Sequence, residues 1–391
     1  MRISIRSITK IGVLACLTYV MWYKWVYGDQ ISLLYTIAAI SIGSAVIGLG
    51  LERISLGKVF PFTCFNDVIM CVYSLLFGMF VATSPSVLVS TIFTYLAFSL
   101  VCLAACYASW KDGFDWLLIG LIGIAILCSI WTLTRGYERV GYGLVLSATN
   151  NPHTLGFVMN LGLFAVAYRS KNTTKSFFWN LLLIALFVYV IVQCGSRKCL
   201  LAAVFVVIPW LWVEIKSIYK NGTAGQRIVA NILVVLIVIG VAYFFKEIYI
   251  NSKSYDRMIN IEESNANKAR LFYFKLGFEL FLDSPVFGIG LGQFALLNPD
   301  LTYSHSVISE AVASWGLIGS MMYFIPIIAV CRRAFHIAKA KRDKESIMIA
   351  SLCAMELFMA FLQIYFYLLP HMIAWAIIAL FVKNNSEKKI T

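Results

Sequence analysis

One histidine and two arginines have the side chains and positions to act on an anionic substrate. His305 lies in Tyr303-Ser-His-Ser306, just before a long apolar run, and the chain has only four histidines. Its imidazole can exchange a proton near neutral pH. Arg197 and Arg270 each stand at the start of a run with helical character, and a guanidinium is a permanently charged fork of donors suited to phosphate oxygens. These residue types predict proton transfer beside a bound phosphate.

The elements that must position these residues are membrane helices. The chain has 391 residues, of which 61% are hydrophobic and 13% charged, and its mean hydropathy is +0.83. Soluble domains carry about 25% charged residues. The apolar runs have the length of about 20 residues that crosses a bilayer as a helix, and they lack the alternation of a membrane β-barrel. The sequence therefore predicts an all-α, polytopic membrane protein.

The apolar runs predict about twelve spans. They are Ile11–Tyr27, Ile31–Leu51, Val68–Thr83, Val87–Ser109, Trp116–Thr134, Thr154–Tyr168, Phe177–Cys194, Cys199–Val213, Ile228–Phe245, Ser306–Val330, Ile347–Tyr367 and His371–Val382. Residues 1–391 are interpreted as a single integral membrane domain, with 246–304 as its large extracytoplasmic loop. Within that loop, apolar periodicity predicts a short helix over Ala269–Leu282, ended by Asp283-Ser-Pro285 because proline disfavours helical geometry in the residue before it.

The distribution of basic residues predicts the orientation. About two thirds of the 32 Lys and Arg residues fall on segments that are cytoplasmic if the N-terminus is inside, as the positive-inside rule expects. Both termini are therefore predicted to be cytoplasmic, with His305, Arg197 and Arg270 near the extracytoplasmic face. The same bias explains the formal net charge of +13, so no nucleic-acid partner is expected.

Other motifs favour structural roles. The ten cysteines show no metal-ligand spacing; a disulfide between Cys194 and Cys199 is the less favoured alternative. The segment Gly288-Ile-Gly-Leu-Gly292 follows no strand of a βαβ unit, so it predicts a tight turn, either alone or approaching the membrane surface or a ligand phosphate. Glu310 lies more than one helical turn after His305, so spacing alone does not make it a direct orienting partner.

Several motifs in order resemble the O-antigen ligase/polymerase superfamily of bacterial envelope glycan assembly. They are Asn151-Pro152, Gly195-Ser-Arg197, an Arg270 helix ending in Asp283-Ser-Pro285, Gly288-Ile-Gly-Leu-Gly292, and His305 followed by Gly316 and Gly319. The resemblance covers roughly residues 150–324, and the earlier spans match only as generic helices. Ser306 departs from the asparagine that family members often have directly after this histidine.

This resemblance implies glycosyl transfer from an undecaprenyl-diphosphate-linked sugar on the outer face of the bacterial inner membrane, without a metal ion or other cofactor. Arg197 and Arg270 would hold the donor diphosphate, with Lys198 and Arg257 as secondary candidates. His305 would be the general base for the acceptor hydroxyl, or would position the reacting groups. The implied partners are the lipid-linked oligosaccharide, a glycan acceptor and membrane lipid, and the resemblance leaves room for a chain-length regulator.

Three functions are compatible with this pattern. A polymerase that joins lipid-linked repeats into O-antigen or capsule is favoured, because the outer loops are compact. An O-antigen ligase that transfers the glycan to a lipid core or another acceptor is the alternative. A lipid-linked oligosaccharide flippase is less favoured, because transporters place ionisable groups near the midplane, whereas the notable charges here gather at the outer boundary.

Overall fold

The protein is a bundle of α-helices. The computed structural model describes residues 4–134, 152–170, 174–225, 227–228, 231–232, 265–363, 366 and 368–387. In chain order, the described helices are α1 Ile5–Tyr27, α2 Ile31–Glu52, α3 Leu56–Val59, α4 Phe62–Val81, α5 Pro85–Ser109, α6 Asp115–Thr134, α7 Pro152–Arg169, α8 Thr174–Gln193, α9 Arg197–Asn221, α10 Asn265–Asp283, α11 Phe294–Leu297, α12 Val307–Lys341, α13 Lys344–Ala360 and α14 Leu369–Glu387. No strand occurs within these ranges, which confirms the all-α prediction.

Eight of the described helices are long and apolar enough to cross a membrane: α1, α2, α4, α5, α6, α8, α9 and α12. The predicted spans in α7, α13 and α14 are helical but fall outside this set, and most of Ile228–Phe245 lies outside the described residues. The count of twelve therefore stays a prediction. Large apolar side chains face outward, such as Phe80 at 88% exposed and Leu51 at 70%, and lipid is the solvent that suits such a surface.

Local sequence explains where several helices begin and end. Pro85 is the first residue of α5, a position where its missing N–H costs no hydrogen bond, so α4 and α5 separate at the predicted break. The carboxylate of Asp343 accepts the Ser346 N–H at 2.8 Å and caps α13. The loop helix predicted over Ala269–Leu282 spans Asn265–Asp283 and ends where predicted.

The long helix α12 is broken at Gly316, which has φ 60° and ψ −162°. The glycine-rich turn after α10 fills the break: Ile289 N–H donates to the Ala313 carbonyl at 2.9 Å, and Leu317 N–H donates to the Pro285 carbonyl at 2.8 Å. A Cβ on Gly288 would lie 2.5 Å from the Ser314 backbone. The turn therefore makes a close backbone approach to α12, which positions the helix start that follows His305.

One end of the bundle is held by ion pairs. Arg6 and Lys111 both pair with Glu52, Lys10 with Asp112, Arg169 with Asp115, and Lys344 with Glu214. We call this the ion-paired end. These pairs join the start of α1 to the end of α2 and to the loop between α5 and α6, the end of α7 to the start of α6, and the start of α13 to the second half of α9. His305 lies at the start of α12, at the opposite end, which we call the site end.

Candidate functional site

The His305 loop is a constrained turn directly before α12. His305 has φ 58°, a left-handed conformation that is uncommon for residues other than glycine. Ser306, the N-cap of α12, donates its N–H to the Ser304 hydroxyl at 3.2 Å, and that hydroxyl donates to the Ser306 carbonyl at 2.8 Å. Such backbone strain persists only where surrounding contacts enforce it, so these contacts fix the backbone that carries the half-buried imidazole.

Glu310 supports this loop from the first turn of α12. Its side chain is buried, and the Ser304 N–H donates to Oε2 at 3.0 Å. The carboxylate therefore holds the backbone beside His305, in the manner of an acidic residue that reaches back over a helix N-terminus. This contact orients the loop without touching the imidazole ring itself.

Two tyrosines flank the imidazole. Tyr273 of α10 stacks on His305 with ring centroids 6.0 Å apart, and Tyr303 lies at 4.4 Å. The Tyr273 hydroxyl donates to Asp300 Oδ2 at 2.8 Å, and this bond to a carboxylate raises the pKa of the phenol. Arg270 lies one helical turn before Tyr273, so α10 presents a cation and an aromatic ring on one face.

Lys198 lies in the first turn of α9, next to Arg197. It is only 9% exposed, and its Nζ donates to the Leu362 carbonyl at 3.4 Å, beyond the end of α13. Within the described part of the chain, Lys198 has no acidic partner. A buried ammonium is costly unless a counter-charge compensates it, and a helix N-terminus adds further positive potential. This corner of the bundle therefore favours an anion.

Electrostatics connects His305 to these cations. The pKa of His305 is lowered to about 4, mainly by burial and additionally by the positive charges of Arg270 and Lys198. The three groups come from α9, α10 and the loop before α12, yet lie close enough to influence one another. The ring is consequently neutral at physiological pH, the form that can accept a proton.

A buried histidine joins two of the motif segments. His153, in the first turn of α7, has its Nδ1 2.7 Å from the Ser196 hydroxyl. That hydroxyl also caps α9 by accepting the Cys199 N–H at 3.4 Å. The Pro152 and Gly195-Ser-Arg197 segments thus meet, and this contact fixes the helix start that carries Arg197 and Lys198.

The structure describes four of the five predicted site residues. Arg270, Lys198 and His305 come together, and half-buried Arg197 begins α9 beside Lys198. Arg257 lies outside the described residues. Among the described residues, no group of three or more His, Cys, Asp or Glu side chains could hold a metal ion. Cys194 and Cys199 are free, like the other eight cysteines.

Sequence reasoning missed the supporting residues Tyr273 and Tyr303, and it left Glu310 without a role. Tyr273 follows Arg270 at helical spacing, which was a usable signal. The sequence analysis considered Glu310 only as a partner of the His305 ring, whereas its hydrogen-bond partner is the Ser304 N–H. An acid in the first turn of a helix is a known partner for upstream N–H groups, so the capping signal pointed to it.

The fold and the site define a polytopic helical membrane protein with a histidine and a cationic cluster at one end of its bundle. Residues 181–324 match the model of the family described as O-antigen ligase. This match supports the O-antigen ligase/polymerase superfamily, so the predicted resemblance is confirmed. It includes Arg197, Lys198, Arg270 and His305. Comparison with curated proteins finds no match.

The family supports an O-antigen ligase- or polymerase-type function in general. Such a function is a membrane glycosyltransferase-like activity, and it implies a lipid-linked glycan and membrane lipid as substrates. With the apolar helices, the match indicates a multi-pass membrane protein.

Proposed function

We propose that the protein is a polysaccharide polymerase that transfers undecaprenyl-diphosphate-linked glycan to the terminal sugar of another lipid-linked repeat. The observation that supports this most strongly is the buried Lys198 ammonium, which has no acidic partner among the described residues and acts electrostatically on His305 together with Arg270. A diphosphate on a lipid is an anion that reaches a site at the end of a membrane bundle.

The cationic cluster has the properties needed to bind the leaving group. As the glycosidic bond to the diphosphate breaks, negative charge grows on the leaving oxygen, and fixed cations in a water-poor site stabilise it. Arg270 offers a bidentate fork and Lys198 a compact charge. Arg197, beside Lys198 at the start of α9, is proposed as a third donor. The chemistry then needs no metal ion.

His305 is proposed as the general base. Its neutral imidazole accepts the proton of the acceptor hydroxyl while that oxygen attacks the anomeric carbon of the donor sugar. Because Arg270 and Lys198 lower the pKa of His305, a bound diphosphate that offsets their charge raises it again. The base therefore becomes stronger when the donor is in place.

The location and orientation belong to the same proposal. We propose that the chain lies in the bacterial inner membrane with both termini cytoplasmic and the site end on the extracytoplasmic face. The ion-paired end then lies in the cytoplasm, in keeping with the positive-inside rule. Two variants test this orientation, one with Lys58 and one with Leu301 replaced by cysteine. Each is treated with a membrane-impermeant, thiol-reactive biotin reagent. Labelling of the Leu301 site alone in intact spheroplasts supports the orientation, and the reverse pattern contradicts it.

A reconstitution experiment separates the candidate functions. Purified protein in liposomes receives only lipid-linked repeat units, and products are resolved by length. Chains longer than one unit support the polymerase. Products that form only after a lipid-core acceptor is added support the ligase instead. Movement of lipid-linked glycan across the bilayer without any new glycosidic bond would support a flippase and contradict both.

A further inference from the structure

A cavity lies at the end of the bundle opposite His305. It has a volume of about 700 Å³ and is bounded by the start of α4, the second half of α12 and the end of α14. This volume is typical of sites that bind small molecules, which hold about 300–1,000 Å³. None of the described residues that are proposed for glycan transfer lines it.

Contacts between α4 and α12 shape the cavity. Pro326 lines it and lacks the N–H that would bond the Met322 carbonyl one turn earlier. The side-chain amide of Asn66 in α4, which is 5% exposed, donates to that carbonyl at 3.0 Å. The proline irregularity in α12 is therefore stabilised by α4, and the space between the two helices is kept.

The lining combines apolar and cationic side chains. Phe62, Phe65 and Val330 line the apolar part, and Phe62 is 65% exposed on the outer surface of the bundle. Arg333 and Lys383 are the cationic residues of the lining, and each follows the apolar lining residues of its own helix toward the end of α12 or α14. Lys383 is fixed there because its Nζ donates to the Gly57 carbonyl at 2.8 Å and the Phe60 carbonyl at 3.3 Å.

Arg333 provides the charge available to a ligand. It is exposed, and it makes no ion pair or side-chain hydrogen bond with the described residues. Arg6, Lys10 and Lys344, at the ion-paired end of the bundle, instead pair with acids. Two cations and several apolar side chains in one cavity between membrane helices match a ligand that has an anionic head and an apolar tail.

We propose that this cavity binds an anionic glycerophospholipid from the adjacent leaflet. Its phosphate lies against Arg333 and Lys383, and one acyl chain packs along Phe62, Phe65 and Val330. Basic pockets between membrane helices bind lipid headgroups in this way. The site is separate from the residues proposed for glycan transfer, because this cavity and His305 lie at opposite ends of α12.

Native mass spectrometry of the full chain, released from nanodiscs of equimolar phosphatidylglycerol and phosphatidylcholine, tests this site. We expect retained phosphatidylglycerol on the wild-type protein and about fivefold weaker retention in Arg333→Gln, as expected for one basic residue near an anionic lipid. Arg332→Gln is the matched control, since Arg332 is an exposed neighbour outside the lining. Ala329→Phe, which fills the cavity and leaves both charges, should reduce retention as well.

Equal retention of the two lipids by wild-type protein would overturn the proposal. Equal losses in Arg332→Gln and Arg333→Gln would also overturn it, because the effect would then be a general surface charge. Recovery of a polyprenyl phosphate in place of phosphatidylglycerol, from protein purified out of native membrane, would contradict the assigned occupant.

Discussion

Two lysines, one from each end of the helix bundle, differ in whether an acid accompanies them. At the ion-paired end, Lys344 meets the buried carboxylate of Glu214 at 3.2 Å, and similar pairs join several helix ends. At the site end, Lys198 is buried against a backbone carbonyl at 3.4 Å with no acidic partner within the described residues. Lys24, near the end of α1 that points away from the ion-paired end, pairs with Asp29 at 2.7 Å. Pairing of a lysine with an acid is therefore not confined to the ion-paired end. The difference teaches that a missing counter-ion is a better sign of function than a basic residue itself.

The largest expected effect is on the imidazole. Replacing His305 with Ala removes the proposed base, and general-base catalysis contributes about 10²–10⁴-fold to rate. We expect glycan transfer in reconstituted liposomes to fall by about that factor. His336→Ala is the matched control, because His336 is an exposed histidine in the part of α12 that leads to the ion-paired end. Full transfer by the His305→Ala protein would remove this residue as the base.

The second prediction compares one lysine from each end. Lys198→Met removes a charge proposed to stabilise the leaving diphosphate, so kcat/KM should fall by about 10²–10³-fold. Its melting temperature should stay level or rise, because the substitution removes an uncompensated buried ammonium. Lys344→Met should do the reverse: it leaves Glu214, which is 2% exposed, without its cation, and costs about 3–5 kcal/mol of stability.

Melting curves and initial rates of the two lysine variants decide this comparison. A destabilised Lys198→Met protein with a proportional loss of activity would mean that Lys198 is a structural residue like Lys344. Arg270→Lys offers a further check, since it keeps the charge and loses the bidentate geometry. It should retain more activity than Arg270→Gln.

Glu310 gives a smaller, positional effect. Glu310→Ala leaves the buried Ser304 N–H without its acceptor and releases the strained His305 loop, so we expect about tenfold slower transfer from the displaced base. Glu310→Gln keeps an acceptor oxygen and should restore most of the rate. If the two variants are equally slow, the carboxylate has another role than holding the loop.

The smallest effect is a shift in pH dependence. Because the pKa of His305 in the free protein is about 4, kcat/KM should stay level from neutral pH downward and fall only as the ring is protonated near that value. Arg270→Gln removes one positive charge, so the pKa rises and the acid limb moves up toward 6.5, the usual value for histidine. Burial is the largest cause of the lowered pKa, so the shift stays partial. An unchanged limb would show that Arg270 and His305 are not coupled.

Local chemistry made part of this structure predictable. Pro85 and the segment Asp283-Ser-Pro285 ended or began helices where expected, because proline acts on its own neighbours in the chain. His305, Arg270 and Lys198 were identified as site candidates by residue type and resemblance. Their grouping rested on the resemblance, since residues that are far apart in sequence meet only through packing.

The unpredicted part depends on contacts between distant elements. The burial of Lys198 requires α9 to pack beside α13, and the stacking of Tyr273 on His305 requires α10 to lie against α12. The glycine-rich turn was recognised as a site of close approach, but its partner is the break at Gly316 in α12. Helical periodicity indicates which face of a helix is apolar, but it does not indicate which neighbouring helix covers that face.

The most direct test of the cationic cluster is donor binding without turnover. Undecaprenyl-diphosphate-linked glycan is titrated against three proteins in nanodiscs. They are the wild type, a double variant of the site end (Lys198→Met with Arg270→Gln) and, as its matched control, a double variant of the ion-paired end (Lys10→Met with Arg6→Gln). Our account predicts at least about a hundredfold rise in Kd for the site-end variant, at about 1.5 kcal/mol or more for each charge-assisted contact, and little change for its counterpart. Equal donor affinity in all three proteins would contradict it.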